Sequence, residues 1–337
     1  MRKIFALLAL VLGVVSCQTE PEGFDATVGG EKEVNITVSL PEATRANSAL
    51  GAFDNVDFDL YDVRFQCEVH YNGQKKVLDP QFSDRGKSAT FPVRLIPGRF
   101  YTFVVWADLV EQGNTTDDLH YNTANGLANI TLNGEWKAMD ETRDAYTCSE
   151  VRKFEGTGIS LELTRPFAKL RVKTTDMNEL MGVKPTSAVV EYTTPIYAKF
   201  NAVEGGVVAN ETTTKTHTYT YPIEDIYENS KTTKILFTDY FFATAQQEAI
   251  KFDMIIKDQD GKPIGDTKNF NTAIPVQRNY LTTIAGNILT TGDNITVTID
   301  DEFDGYYTVP SEVSELVNVI DSLGKGYRCS HQLGRSC

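Results

Sequence analysis

Histidine is scarce in this chain. It has four, His70, His120, His217 and His331, and none stands near a serine, cysteine or carboxylate in the arrangement of a catalytic triad or a zinc motif. His70 and His217 fall in alternating stretches, where an outward, solvated imidazole is the plain reading. The two tryptophans are few beside fifteen tyrosines, and basic residues are outnumbered, 32 against 46 acidic, for a formal charge of -14. That balance repels nucleic acid and anionic headgroups and speaks against either as a partner. Neither Gly29-Gly30 nor Gly205-Gly206 has the helix start that would make it a phosphate loop. After the first residues no apolar run approaches the roughly 18 to 20 residues a membrane helix needs.

The chain opens with basic Arg2 and Lys3 and a short apolar run, Ile4 to Leu12, which reads as a signal peptide and is too short to span. It ends in Val14-Val15-Ser16-Cys17, which looks like a bacterial lipobox and makes Cys17 the candidate lipidation site. Residues 1–17 are therefore expected to be the export signal ending at the lipidated cysteine, and residues 18–30 a polar tether. Loss of Arg2 and Lys3 makes the mature chain still more acidic. The expected location is the outer membrane, held by lipid at Cys17 and facing the cell surface, with outer-membrane lipid as one partner.

Cys67, Cys148, Cys329 and Cys337 are an even set in an exported chain and permit two disulfides. Of three connectivities, Cys67 with Cys148 and Cys329 with Cys337 keeps each bridge within one segment. Free buried thiols are the other reading. No spacing among them makes a metal site, and no cofactor is expected.

Between tether and tail, alternating and β-branched runs punctuated by turn dipeptides predict an all-β fold. Expected strands include 34–40, 56–71, 90–96, 101–107, 128–132 and 159–164, then 168–173, 188–192, 197–203, 217–221, 234–238, 250–257, 280–288 and 294–299. Asn72-Gly73, Asn133-Gly134 and Asp260-Gly261 read as hairpin turns, because each supplies the positive φ that a primed turn requires. So many short strands suit two β-sandwich domains, 31–164 and 165–309, rather than one oversized core. In the tail, 310–337, Val313, Leu316, Val317, Ile320 and Leu323 lie at helical spacing between Pro310 and Gly324, predicting a short amphipathic helix.

Two acidic sets, Asp54, Asp57, Asp59 and Asp62, and Asp258, Asp260 and Asp266, lack the ligand order of a calcium loop. They read better as a wet strand face and a hairpin turn. Tyr192 and Tyr197, with His217, Tyr219 and Tyr221, suggest either a carbohydrate platform or cross-strand packing pairs.

Three segments resemble one known family. They are Pro97-Gly98-Arg99-Phe100-Tyr101-Thr102-Phe103-Val104-Val105-Trp106-Ala107-Asp108, Arg165-Pro166-Phe167-Ala168-Lys169-Leu170-Arg171-Val172, and the run from Ile274-Pro275-Val276-Gln277-Arg278-Asn279-Tyr280 through Leu281-Thr282-Thr283-Ile284-Ala285-Gly286-Asn287-Ile288-Leu289-Thr290. They are similar to the fimbrillin-like surface lipoproteins of Bacteroidetes over about residues 30–305. The resemblance implies two tandem transthyretin-like β-sandwiches and a non-enzymatic structural or adhesive role, as a pilus subunit or anchor. Its partners would be other fimbrial subunits or, without polymerisation, surface glycans.

In that family a precursor is cut after an arginine and loses its first strand, and a C-terminal strand of the next subunit fills the groove. The matching cut falls between Arg45 and Ala46, releasing Val34 to Leu40; a plain exposed loop is the alternative reading of Arg45. Gly305 to Pro310 is extended-looking, but the tail after it departs from a donor strand.

Overall fold

A computed structural model describes residues 30–41, 53, 56–83, 86–134, 137–212, 217–223, 232–292, 294–300 and 309–310. In chain order the strands are β1 (Lys32–Ser39), β2 (Tyr61–Tyr71), β3 (Gln74–Val77), β4 (Gln81–Ser83), β5 (Ser88–Leu95), β6 (Phe100–Glu111), β7 (Tyr121–Asn122), β8 (Ile130–Leu132), β9 (Tyr146–Lys153) and β10 (Ile159–Glu162). There follow β11 (Phe167–Thr174), β12 (Pro185–Tyr192), β13 (Lys199–Asn201), β14 (Gly206–Val207), β15 (His217–Pro222), β16 (Lys234–Phe242), β17 (Glu248–Asp258), β18 (Lys268–Val276), β19 (Leu281–Gly286), β20 (Thr296–Asp300) and β21 (Val309–Pro310). The protein is all-β. Its described helices are two single 3-10 turns, Glu141–Arg143 and Met177–Glu179.

Among the described residues, five sheets enclose three cores. Sheet β10-β1-β5 packs on sheet β3-β2-β6-β9, and inward residues of both make the first core. Sheet β16-β11-β19-β20-β21 packs on sheet β15-β12-β17-β18 around the second. The third lies between these units and is filled partly by the small sheet β14-β13-β8-β7, in which β8 meets β13 through Ile130 and Phe200.

Strand β6 explains the third core. Its odd positions Tyr101, Phe103, Val105, Ala107 and Leu109 enter the first core, as the period-2 pattern requires, while Val104 and Trp106 enter the third. Both faces of β6 are buried, so it reads as a nearly unbroken apolar run. The Trp106 ring meets Tyr121 edge-on at 5.4 Å and Phe200 at 6.3 Å, and Phe167 stacks on Phe242 at 5.0 Å.

Of the expected hairpins, Asn72-Gly73 closes β2 onto β3 as a two-residue turn with φ of 48° and 75°. Asp260-Gly261 makes a tight turn after β17, where Asp258 Oδ1 accepts from the Asp260 and Lys262 amides. Asn133-Gly134 instead leads out of β8 toward the Glu141–Arg143 turn; the Asn133 amide group donates to Asp118 O and Leu119 O, so it ties down a loop.

His120 is half-buried in that region. Its Nε2 lies 2.7 Å from Thr142 Oγ1 and 3.8 Å from Asp140. Burial, against the pull of Asp140 and with Arg143 adding repulsion, brings it from 6.5 down to about 4. As pH falls the unfolded chain therefore takes up this proton first. The stability contributed by neutral His120 is complete above its unfolded value, about 6.5, and is lost progressively down to about 4. We expect that loss to be on the order of 2–3 kcal/mol, and H120Q to remove it. Urea unfolding at pH 7.5 and pH 4.5 checks this: parallel pH slopes for both proteins would refute it.

Candidate functional site: the place of the first strand

Strand β1 occupies the middle of its sheet. It pairs antiparallel with β5 over eight residues, Lys32 opposite Leu95 to Ser39 opposite Ser88. On its other side it pairs parallel with β10, Ile36 opposite Ile159 to Ser39 opposite Glu162. The Leu40 amide donates to Lys87 O at 2.8 Å and the Leu163 amide to Ser39 O at 3.0 Å. The alternation that suggested a one-faced strand is what is seen: Val34, Ile36, Val38 and Leu40 are in the first core, with Asn35 and Thr37 outside.

Strand β1 is inserted between two others over Ile36–Ser39, while Lys32–Asn35 pairs with β5 alone. Taking it out would leave β5 and β10 two strand spacings apart, about 9.5 Å, with two facing rows of unpaired backbone groups and an apolar floor. Such a slot fits one extended strand with apolar side chains at alternate positions.

Its sequence specification recurs within the chain. Asn35-Ile36-Thr37-Val38 of β1 is repeated as Asn294-Ile295-Thr296-Val297 leading into β20, again with Ile and Val buried, this time in the second core. The repeat is legible in the sequence, and a self-comparison would have found it. Strand β20 is itself paired to β19, with Gly286 where a Cβ would stand 2.8 Å from the Ile295 Cα, and β21 adds to its outer side through Val297 opposite Val309.

The motif segments form the joint between the two units. Arg165 donates to both oxygens of the Asp144 carboxylate at 2.8 to 3.0 Å and lies over the Tyr146 ring at 4.7 Å, while Tyr146 Oη donates to Asp144 at 2.7 Å. Burial works against the Arg165 charge, but Asp144 outweighs it and holds the guanidinium above its ordinary range. Four residues on, Lys169 Nζ donates to Glu141 at 2.8 Å and sits 4.6 Å above the Tyr240 ring. Burial there wins and keeps the ammonium below its ordinary range. The Arg278-Asn279-Tyr280 turn docks on the same place: Asn279, at φ 65°, accepts from the Arg165 amide at 3.1 Å and donates its own to Phe167 O at 2.7 Å. Near β6, Arg64 donates to Asp108 at 2.7 and 2.9 Å and to Asp118 at 2.7 Å, pinning the loop that carries Tyr121.

The expected Cys67–Cys148 bridge is not formed. Both cysteines are free, because they flank Val105 on either side: Cys67 is opposite it on β2 and Cys148 opposite it on β9. Two strand spacings separate their Cα atoms by about 9.5 Å, beyond the roughly 7 Å a disulfide can span. Burial pushes the Cys67 thiol up to about 12 and the Cys148 thiol up to about 11, so neither is a ready nucleophile. Maleimide at pH 7.5 should leave both thiols unmodified in the native protein and label both in urea, read as intact mass. A native mass fixed two hydrogens low by a Cys67–Cys148 link would refute the register.

Cys17, Arg45, Ala46, Cys329, Cys337 and the expected tail helix lie outside the described residues, as does Asp54. Asp57 accepts the Asp59 amide and Asp62 accepts the Gly113 amide, and among the described residues no group of three or more His, Cys, Asp or Glu could hold a metal. Tyr192 is not on a surface platform: it is in the second core and donates to Asp239 at 3.0 Å. Tyr197 is half-buried and donates to Glu248 at 2.7 Å. The register places Tyr219 opposite Val190 and Tyr221 opposite Ala188, both core positions of β12.

The fold and the slot define an all-β protein of stacked sheets, braced by a buried polar joint and closed by an inserted N-terminal strand. Residues 25–321 match the family of unknown function DUF6562, and the chain belongs to that family. Among curated proteins no match is found. Among solved structures the chain is similar to a candidate cell adhesion protein of Bacteroides uniformis, at 12% identity and TM-score 0.49, covering 80% of this chain and 99% of that one. It is also similar to a candidate cell adhesion protein of Bacteroides ovatus, at 16% identity and TM-score 0.44 over 81% and 98%. A third is the fimbrial anchor protein Mfa2 of Porphyromonas gingivalis, at 10% identity and TM-score 0.40 over 83% and 100%.

Proposed function

We propose that this is a lipid-anchored outer-membrane surface protein of the fimbrillin type, a structural or adhesive subunit that works by exchanging its first strand rather than by chemistry. The observation that carries the reading is the position of β1. It pairs with β5 along its whole length and with β10 over Ile36–Ser39, contributes its apolar face to the first core, and is followed within a few residues by Arg45. Cleavage between Arg45 and Ala46 would free a strand held only by noncovalent contacts and leave a slot for another chain. Domains 31–164 and 165–309, with the buried Arg165 joint between them, would transmit load as one body. Until that cut, lipid at Cys17 would hold the chain at the membrane.

The test treats the chain lacking residues 1–17 with a trace of arginine-specific protease and follows mass and oligomer size together. Selective cleavage after Arg45 followed by ladders of increasing size supports strand exchange. A chain that is cut there and remains a stable monomer, or that resists, refutes it.

A further inference from the structure

The N-terminal end of the first unit carries a small apolar surface with no covering layer among the described residues. Phe100 is 62% exposed and Val151 is 66% exposed. They are diagonal neighbours on the outer face of the β6-β9 pair, since Thr102 is opposite Val151 and Phe100 opposite Lys153. Higher on the same face Val104 and Trp106 are covered by the third core, so the bare patch is confined to this end.

The same end receives the chain from its N-terminus. Lys32 begins β1 opposite Leu95, just before the turn into Phe100, and its Nζ lies beside Gly156, just after β9. Residues 18–29 reach at most about 40 Å when fully extended. Anything fixed at Cys17 is therefore within reach of Phe100. Charge at this end is paired. Arg152 pairs with Glu150 at 2.5 Å, Lys153 with Glu155 at 2.9 Å, and Arg99 lies 4.9 Å above the Tyr71 ring, so acid and base are balanced here within a chain of formal charge -14. The repulsion that keeps the acidic body off a lipid surface is absent where the apolar pair protrudes.

We propose that Phe100 and Val151 rest in the interface of the bilayer that holds the anchor, fixing the protein upright on its tether. This rests on the reading of Cys17 as lipidated. An aromatic ring flanked by arginine and lysine suits the headgroup level, where its apolar body is buried and the cations stay wet. Lipid at Cys17 supplies the affinity, and the patch supplies the orientation.

The experiment uses the full lipidated chain in phosphatidylethanolamine/phosphatidylglycerol vesicles with and without brominated acyl chains, comparing wild type, F100W and L60W. Leu60 is 58% exposed and precedes β2, an 11-residue strand away, roughly 35 Å, so its tryptophan should stay in water. We expect F100W to add emission that is shifted to the blue and mostly lost in brominated vesicles, and L60W to add emission that is neither. Vesicle flotation of all three with equal, unquenched added emission would overturn the docking and leave the anchor standing. Failure to float would overturn both.

Discussion

Deleting residues 18–45 will give a chain that does not fold alone and that recovers native structure when a peptide spanning residues 31–41 is supplied in trans. The deletion removes four side chains, Val34, Ile36, Val38 and Leu40, that are buried in the first core. Each contributes about 1.5–3 kcal/mol by burial alone. Two strand ladders go with them, and the β5 and β10 groups that faced β1 gain no partner from the chain. The sum reaches or exceeds the roughly 5–15 kcal/mol of net stability typical of a folded domain. Circular dichroism and size-exclusion chromatography, with and without peptide, read the result. A peptide carrying aspartate at the Ile36 and Val38 positions should not rescue. A deleted chain that is monomeric and cooperative without peptide would show that β1 is dispensable and would remove the basis for strand exchange.

Much of this strand's role was legible before any coordinates. Period-2 alternation from Val34 to Leu40 marked its buried face, and it is the face observed. What alternation cannot encode is neighbours: nothing in the β1 sequence says that β10, more than a hundred residues later, pairs with it in parallel. The same limit explains the cysteines. Sequence proximity and an even count favoured a bridge, yet the insertion of β6 between β2 and β9 sets Val105 between the two thiols. Tyr192 stood between a carbohydrate platform and a cross-strand packing pair, and it is the packing pair, opposite Phe252 in the second core. Strands β9 and β18 were missed because polar residues dominate their sequences: Ser149, Glu150, Arg152 and Lys153 in one, Lys268, Asn269, Asn271 and Thr272 in the other. In Arg165 to Val172 the strand was legible, and Ala168, Leu170 and Val172 are its core positions. Arg165 and Lys169, charged and yet buried, could be understood only once Asp144 and Glu141 were found facing them.

That joint gives the second large effect. R165A should destabilise the protein by about 3–5 kcal/mol, because it leaves the Asp144 carboxylate buried without its ion pair. The double variant R165M/D144L should recover most of the loss, since an apolar pair of similar volume costs no desolvation. R152A, which breaks a pair whose side chains are 42% and 39% exposed, should change stability by less than about 1 kcal/mol. Urea unfolding followed by both tryptophan fluorescence and far-ultraviolet circular dichroism measures all three. Because Trp106 sits in the third core with Phe167 and Phe242, residues from either side of the Arg165 joint, the two signals should coincide in the wild type. In R165A they should separate, with fluorescence moving first as the joint opens ahead of the sheets. Coincident transitions in R165A, displaced together by less than 1 kcal/mol as for an exposed pair, would mean that the buried contacts do not bind the units into one mechanical body. The strand-exchange reading needs that body: force applied through a strand seated between β5 and β10 must pass through the joint to reach the second unit without parting it.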